Sequence, residues 1–187
     1  KPFKVYGLAS TLSSLKRHLF NDQLWPDFTR LPTPESPVAQ LCPIEPGEAI
    51  DIDGRRIRAV AVEHTVDAVG YLLEGGDRCL AFSGDTATND SLWAALNEVA
   101  NLDVLIVETA FANQDRARAR AASHYCPETL AADLQKLNHR PEIYISHLKP
   151  GAEETIMAEL TAALPGWQLQ PLEQDRVFEL TGTGSER

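Results

Sequence analysis

Basic residues are scarce in this sequence. It has 17 Lys and Arg against 27 Asp and Glu, which gives a formal net charge of −10. Nucleic acids are bound mainly through clustered Lys and Arg that contact phosphates, so a broad nucleic-acid surface is not expected. The nearest basic run is Arg116, Arg118 and Arg120, which alternate with other residues as on a solvated helix face. Nucleic acid is therefore an unlikely partner.

Cysteines and long apolar runs are also few. Cys42, Cys79 and Cys126 stand far apart without CxxC spacing, which argues against a zinc ribbon and against a disulfide framework. This cysteine usage fits a reducing compartment. No apolar run reaches the roughly 18 to 20 residues that cross a bilayer, and the first residues lack a signal-peptide pattern. We therefore expect a cytoplasmic protein without a membrane partner.

The order of the predicted elements indicates an α/β fold. A strand and a helix come first, then residues 21–40 with four prolines between Pro26 and Pro37, which predict an extended segment or lid. Two β-hairpins follow over residues 49–83, then alternating helices and strands, and two short strands over residues 167–180. We expect one layered domain over residues 1–180 and a disordered tail over residues 181–187.

Three apolar strands end on a residue that can bind metal. His64 follows AVAVE, Asp85 follows LAFSG, and His147 follows IYIS. Taken singly, each histidine could be a surface residue and Asp85 could cap the next helix. Three strands that each deliver a His or Asp where the apolar run stops are the arrangement expected of a metal site at one edge of a sheet.

Two further residues have a similar setting. Glu108 follows DVLIV at the end of a fourth strand, although it could also begin the following helix. His124 lies in ASHYCPET just before Pro127, where a helix is predicted to start, and could be a plain loop histidine. Both are candidates for a role beside the metal site.

Taken together, VEHTVDAVGYLL, LAFSGDT, LIVETAF, SHYCPETLAADL and YISHLKPG resemble the later motifs of the metallo-β-lactamase superfamily. Their order resembles most the class II 3′,5′-cyclic-nucleotide phosphodiesterases, with the tRNA 3′-processing endonucleases (RNase Z) as close relatives. The resemblance implies an αβ/βα sandwich, here an α+β arrangement of sheets and helices, with two divalent metal ions. Zinc is the usual metal, although the predicted nitrogen and oxygen ligands suit Mn or Fe comparably.

The resemblance also implies roles for the five residues. His64 and His147 would each bind one metal, and Asp85 would bridge both, since a carboxylate has two oxygens. His124 would contact the scissile phosphate or protonate the leaving oxygen, and Glu108 would orient His124. The implied reaction is the opening of cAMP or cGMP to a 5′-monophosphate by a hydroxide that the metals activate.

The sequence departs from the family pattern at its front. The first metal motif of the family, HxHxDH, is not present, since no two of the five histidines are two residues apart. That motif normally precedes the strand and helix with which this chain begins. We therefore expect that an N-terminal part is missing, and that this chain alone binds metal weakly and hydrolyses little.

Two other functions remain open from the sequence. The first is an RNase Z-like RNA phosphodiesterase or endonuclease, against which the acidic net charge argues. The second is a degenerate, non-catalytic binding module. The usual homodimer of the family is an expectation from the resemblance alone.

Overall fold

The computed structural model describes residues 1–179; the tail predicted to be disordered, residues 181–187, lies outside the described residues. The chain divides into two compact units, the first over Lys1–Glu48 and the second beginning at Ala49. That residues 1–180 form a single domain stays a prediction. No helix in the described part of the chain is both long and apolar enough to span a membrane.

The first unit contains the predicted strand and helix. Strand β1 (Phe3–Gly7) leads into helix α1 (Ala9–His18), and β1 pairs in parallel with β4 (Ala39–Pro43). The Pro-rich segment between them is largely irregular, as predicted, except for the small antiparallel pair β2 (Pro32–Thr33) and β3 (Ser36–Pro37).

A buried carboxylate organises the Pro-rich segment. Asp27 is 3% exposed and accepts hydrogen bonds from the Lys16 ammonium, from the Thr29 hydroxyl at 2.6 Å and from Arg30 Nε at 2.6 Å. These cationic and hydroxyl donors hold the pKa of Asp27 well below its usual range, the Lys16 hydrogen bond being the largest cause. The segment is therefore held by polar contacts.

The second unit is built on a seven-stranded sheet with the order β11-β10-β9-β8-β7-β6-β5. The strands are β5 (Ala49–Ile52), β6 (Arg55–Ala61), β7 (Val69–Gly75), β8 (Arg78–Phe82), β9 (Val104–Glu108), β10 (Glu142–Ser146) and β11 (Leu169–Pro171). The two predicted hairpins are β5 with β6 and β7 with β8. Of the two strands predicted over residues 167–180, one is β11, and the described residues 172–179 have no strand conformation.

Strand direction decides where the strand ends meet. β6 and β8 are each antiparallel to β7, so they run the same way, and β8, β9 and β10 are successively parallel. The carboxyl ends of β6, β8, β9 and β10 therefore lie along one edge of the sheet, where edge means the side formed by strand ends and not an outer strand. Every strand that was predicted to end on a candidate residue delivers that residue to this edge.

In the described part of the second unit, the α-helices are α2 (Ser91–Glu98), α3 (Arg116–Ala121), α4 (Pro127–Leu134) and α5 (Glu153–Ala163). The predicted break near His124 lies between α3 and α4. Apolar residues of α2, α4 and α5, such as Trp93, Leu130 and Ile156, form one core with alternate residues of the strands. The intervening strand residues form a smaller cluster on the opposite face: Leu80, Val104, Ile106 and Tyr144. Burial of both strand faces explains why β8, β9 and β10 are continuous apolar runs in the sequence.

Candidate metal centre

The position of Asp85 follows from the turn that ends β8. Gly84 has a φ of 62°, a left-handed conformation that favours glycine, and a Cβ at this position would lie 3.2 Å from the Val69 carbonyl oxygen. The turn leaves the Asp85 side chain 48% exposed at the sheet edge. Asp85 does not cap α2, because the Leu92 N–H at the start of that helix donates to Asn89 Oδ1 at 2.9 Å. The carboxylate is therefore free for another role.

His147 occupies a strained backbone position directly after β10. Its φ is 59°, which is uncommon for a residue with a Cβ and is often found at functional sites. This conformation directs the imidazole toward Asp85, with 2.8 Å between His147 Nδ1 and Asp85 Oδ1. Two strand-end residues that are 62 positions apart in sequence thus meet at the sheet edge.

Glu108, the last residue of β9, is buried and holds His124. It is 1% exposed, and its Oε1 lies 2.7 Å from His124 Nδ1. The carboxylate also accepts hydrogen bonds from the backbone N–H groups of Thr86 at 3.0 Å and Ala110 at 3.1 Å. Because α3 begins only at Arg116, Glu108 does not start a helix. The contact fixes the orientation of the imidazole, and Nε2 remains as its other ring nitrogen.

Burial changes the proton affinity of this pair. It raises the pKa of Glu108 to about 8, with a further contribution from the charge of Asp85, while the backbone N–H donors act in the opposite direction. Burial also lowers the pKa of His124, and the neighbouring His147 lowers it further. Both shifts favour the uncharged forms, so a proton on His124 is easily given up.

His64 is oriented by a backbone group of the loop that carries His124. Its Nδ1 lies 3.0 Å from the carbonyl oxygen of Ser123, whose φ of 53° is also left-handed. A carbonyl oxygen only accepts hydrogen bonds, so Nδ1 carries a proton, and Nε2 is the nitrogen that can bind metal. An unprotonated Nε2 is the form in which a histidine binds metal.

The described residues contain a group that can hold a metal ion. His64, Asp85 and His124 each offer one ligand atom, and these atoms all lie within 4.8 Å of one another. The His124 ring is 5.0 Å from the His64 ring and 4.8 Å from the His147 ring, measured between centroids. Imidazole nitrogens with a carboxylate suit zinc and also manganese or iron. The residues therefore fit a divalent metal ion.

All five predicted site residues meet in this cluster. The predicted division of roles, with His64, Asp85 and His147 as metal ligands and His124 with Glu108 as the proton-donating pair, stays a prediction. The compact three-residue group contains His124 in place of His147, while His147 joins it through Asp85.

Sequence reasoning assigned no role to Lys149, which lies beside these residues. Its Nζ is 3.4 Å from His147 Nε2 and 5.4 Å from the centre of the Phe111 ring. The sequence did contain a signal for these two residues, because Lys149 and Phe111 lie within the family-like stretches YISHLKPG and LIVETAF. Lys149 adds a positive charge beside the cluster.

A buried polar network anchors the loop that carries His124. Tyr125 is fully buried and donates a hydrogen bond of 2.6 Å to Asp133 Oδ2 in α4. The same oxygen accepts hydrogen bonds from Trp93 Nε1 at 3.1 Å and from the Asn89 N–H at 3.2 Å. Burial and the Asp133 carboxylate both raise the pKa of Tyr125, so it remains a hydroxyl donor. The loop position is therefore fixed from α2 and α4.

Two named relatives are similar to this chain in sequence. Ribonuclease Z of Bradyrhizobium sp. (strain ORS 278) is 28% identical over 159 residues, which cover 84% of this chain and 47% of that protein. A probable 3′,5′-cyclic-nucleotide phosphodiesterase of Yersinia pestis is 25% identical over 179 residues, covering 80% of this chain and 50% of that protein. The chain spans about half the length of these relatives.

Comparison with solved structures and family models establishes the fold. The crystal structure of unliganded yeast PDE1 superposes with a TM-score of 0.74 at 21% identity, covering 90% of this chain and 57% of that one. The model of the family described as the beta-lactamase superfamily domain matches residues 1–181. The predicted metallo-β-lactamase-like α+β fold is thereby confirmed. The chain belongs to the beta-lactamase superfamily.

Proposed function

We propose that the protein containing these residues is a metal-dependent phosphodiester hydrolase, and that it opens 3′,5′-cyclic nucleotides to 5′-monophosphates. The observation that carries the proposal is the clustering of three side chains, since His64, Asp85 and His124 offer atoms within 4.8 Å of one another. His147 joins them at 2.8 Å from Asp85, and the buried Glu108 holds His124. The name of the Yersinia pestis relative supports the choice of cyclic nucleotides.

In the proposed site, His64, Asp85 and His147 would hold two divalent metal ions. Such ions lower the pKa of water and offset the negative charge that builds on a phosphodiester during hydrolysis. As a water molecule forms a new bond to phosphorus and releases a proton to solvent, the bond between phosphorus and the 3′-oxygen breaks. The protonated form of His124 gives the proton on its Nε2 to that oxygen, while its Nδ1 stays paired with Glu108. The lowered pKa of His124 favours this transfer.

A second candidate is hydrolysis at RNA ends. The 28% identity to a ribonuclease Z supports it, and the net charge of −10 argues against it because RNA binding relies on clustered basic residues. The third candidate, a non-catalytic module, gives no chemical reason for the orientation of His64 by Ser123 and of His124 by Glu108.

The test measures metal content and 3′,5′-cAMP hydrolysis of the complete protein and of an Asp85→Ala variant. We expect about two metal ions per chain in the parent protein, and loss of metal and of hydrolysis in the variant. Asp77→Ala is a matched control, because Asp77 lies in the turn between β7 and β8, at the opposite edge of the sheet.

The outcomes separate the three candidates. If the protein holds metal and leaves cAMP intact but cleaves RNA ends, the substrate is wrong and the second candidate stands. If it holds metal and cleaves neither, or holds none, the proposal of phosphodiester hydrolysis fails. The homodimer and the cytoplasmic location stay predictions, which sedimentation and fractionation would test.

A further inference from the structure

A cavity of about 720 Å³ lies next to His124. The side chains around it come from the end of the β6 segment, from the loop after Asp85, from α3 and from the start of α4, and include Glu63, Thr88, Arg116, Arg120, His124 and Thr129. Its volume is within the range of small-molecule sites. Because His124 forms part of its wall, whatever group is attached to a phosphate at His124 has this cavity beside it.

The walls of the cavity are held in place by backbone hydrogen bonds. The Glu63 N–H donates to the Thr86 hydroxyl at 3.2 Å, and its carbonyl accepts from the Ala87 N–H at 2.7 Å. On the other side, the Cys126 N–H donates to Thr129 Oγ1 at 3.0 Å at the start of α4. The cavity is therefore formed before any ligand arrives, which lowers the entropic cost of binding.

The charges around the cavity nearly cancel. Arg116 donates to Glu128 at 2.6 Å in an exposed pair, and Arg118 of the same helix is paired with Asp115. Within the part of the chain that the structure describes, Arg120 has no ion pair, and Glu63 is the carboxylate among the lining residues. The lining thus offers one unpaired guanidinium and one carboxylate.

The rest of the lining is small and mostly apolar. Ala87, Ala117, Ala119 and Cys126 contribute no charge and little bulk. A second phosphate in this cavity would lie near the negative charge of Glu63 and would have one unpaired cation to bind. This lining is therefore a poor match for a doubly charged group. A flat, uncharged group with hydrogen-bonding edges suits this lining better, because a guanidinium stacks on nucleobases and a carboxylate accepts from hydroxyl or amino groups.

We propose that this cavity binds the nucleoside part of the substrate, with the base against Arg120 and an amino or hydroxyl group donating to Glu63. The inference rests on the proposed function, because it places the phosphate of a cyclic nucleotide at His124. It goes further in assigning base and ribose recognition to residues outside the metal cluster.

The test measures binding without hydrolysis. The complete protein is treated with a chelator, and the affinities of adenosine and of 3′,5′-cAMP are measured by titration calorimetry. We expect both to bind, and Arg120→Ala to weaken both by at least tenfold. Arg118→Ala is the matched control from the same helix, and we expect it to leave both affinities unchanged. Ala117→Leu partly fills the cavity and should weaken both ligands as well, without removing a charge.

Specific outcomes would overturn the inference. Failure of the parent protein to bind adenosine at millimolar concentration excludes a nucleoside site, and so does an Arg120→Ala variant that binds like the Arg118→Ala control. If adenosine 3′,5′-bisphosphate binds much more tightly than cAMP and only this preference depends on Arg120, the cavity is an anion site. Failure of the proposed function is seen in a different experiment, in which cAMP stays intact after incubation with the metal-loaded protein. That result does not depend on these affinities.

Discussion

Replacing Asp133 by alanine tests whether the loop that carries His124 is held by the buried network. Asp133 is 3% exposed and accepts hydrogen bonds from Tyr125, Trp93 and Asn89, while its second oxygen lies 2.8 Å from Lys136 Nζ. Asp133→Ala leaves the Tyr125 hydroxyl and Trp93 Nε1 without their acceptor. Both residues are almost completely buried, so water cannot replace the lost partner at low cost.

The magnitude follows from these two donors. A buried donor without a partner costs about 1 to 3 kcal/mol, so two of them cost about 2 to 6 kcal/mol. Trp93 Nε1 still has the Tyr125 hydroxyl oxygen at 3.4 Å, which favours the lower part of that range, about 2 to 4 kcal/mol. Such a loss is a large part of the roughly 5 to 15 kcal/mol that stabilises a domain.

Urea unfolding of the complete protein, followed by tryptophan fluorescence, measures this loss. Tyr125→Phe removes the hydrogen bond to Asp133 and the long 3.4 Å contact from Trp93 Nε1. Trp93 Nε1 keeps Asp133 as its acceptor, so no buried donor is left without a partner and we expect a loss of about 1 kcal/mol. Asp90→Ala is the exposed control, since Asp90 also contacts Lys136 but is 92% exposed, and should change the free energy of unfolding by less than about 1 kcal/mol. The reasoning is wrong if Asp133→Ala costs no more than Asp90→Ala, or if Tyr125→Phe costs as much as Asp133→Ala.

Three further changes have defined outcomes. Folding raises the pKa of Glu108 from its usual value to about 8, so the contribution of this residue to stability is complete below about pH 4.5 and is lost as the pH rises through about 8. Between pH 5 and 9, the free energy of unfolding of the chelator-treated protein should therefore fall less in Glu108→Gln than in the parent. Burial raises the pKa of the Cys79 thiol to about 11, so a thiol reagent at pH 8 should modify the half-buried Cys42 before Cys79, as read by mass spectrometry. Equal labelling rates would contradict this. Gly70→Ala places a Cβ 2.7 Å from the Phe82 carbonyl oxygen, so we expect the free energy of unfolding, measured by thermal unfolding, to fall by about 1 to 3 kcal/mol. An unchanged melting temperature would show that β7 and β8 can move apart without cost.

The strand-end residues of the site could be predicted because the signal is local. His64, Asp85 and His147 each follow an apolar run, and the parallel directions of β6, β8 and β10 bring such positions to one edge. Glu108 was recognised in the same way, and His124 from its place just before Pro127 at a predicted helix start, together with the family resemblance. The fold class was accessible for the same reason, because apolar runs and turn residues mark the strands and hairpins.

The supporting contacts could not be predicted from the sequence. The partner of His64 is the backbone carbonyl of Ser123, and any residue type supplies a carbonyl. Asp133 lies in a helix with ordinary polar neighbours, and its burial depends on Tyr125 and Trp93, which lie 8 and 40 residues away. Asp27 likewise gave no sign of being buried within a polar segment. These contacts depend on tertiary packing, which a local pattern does not encode.

The two edges of the seven-stranded sheet differ in how freely their loops can vary. At the edge opposite the candidate centre, β5 turns into β6 through Asp53 and Gly54, and β7 into β8 through Gly76 and Asp77, in connections of two residues each. At the other edge, the connections that carry the candidate residues are long and irregular. Insertions and exchanges in those long loops can change which molecules are accepted while the strands keep their register. The short turns are correspondingly the places to attach a reporter dye or a surface anchor without disturbing the chemistry.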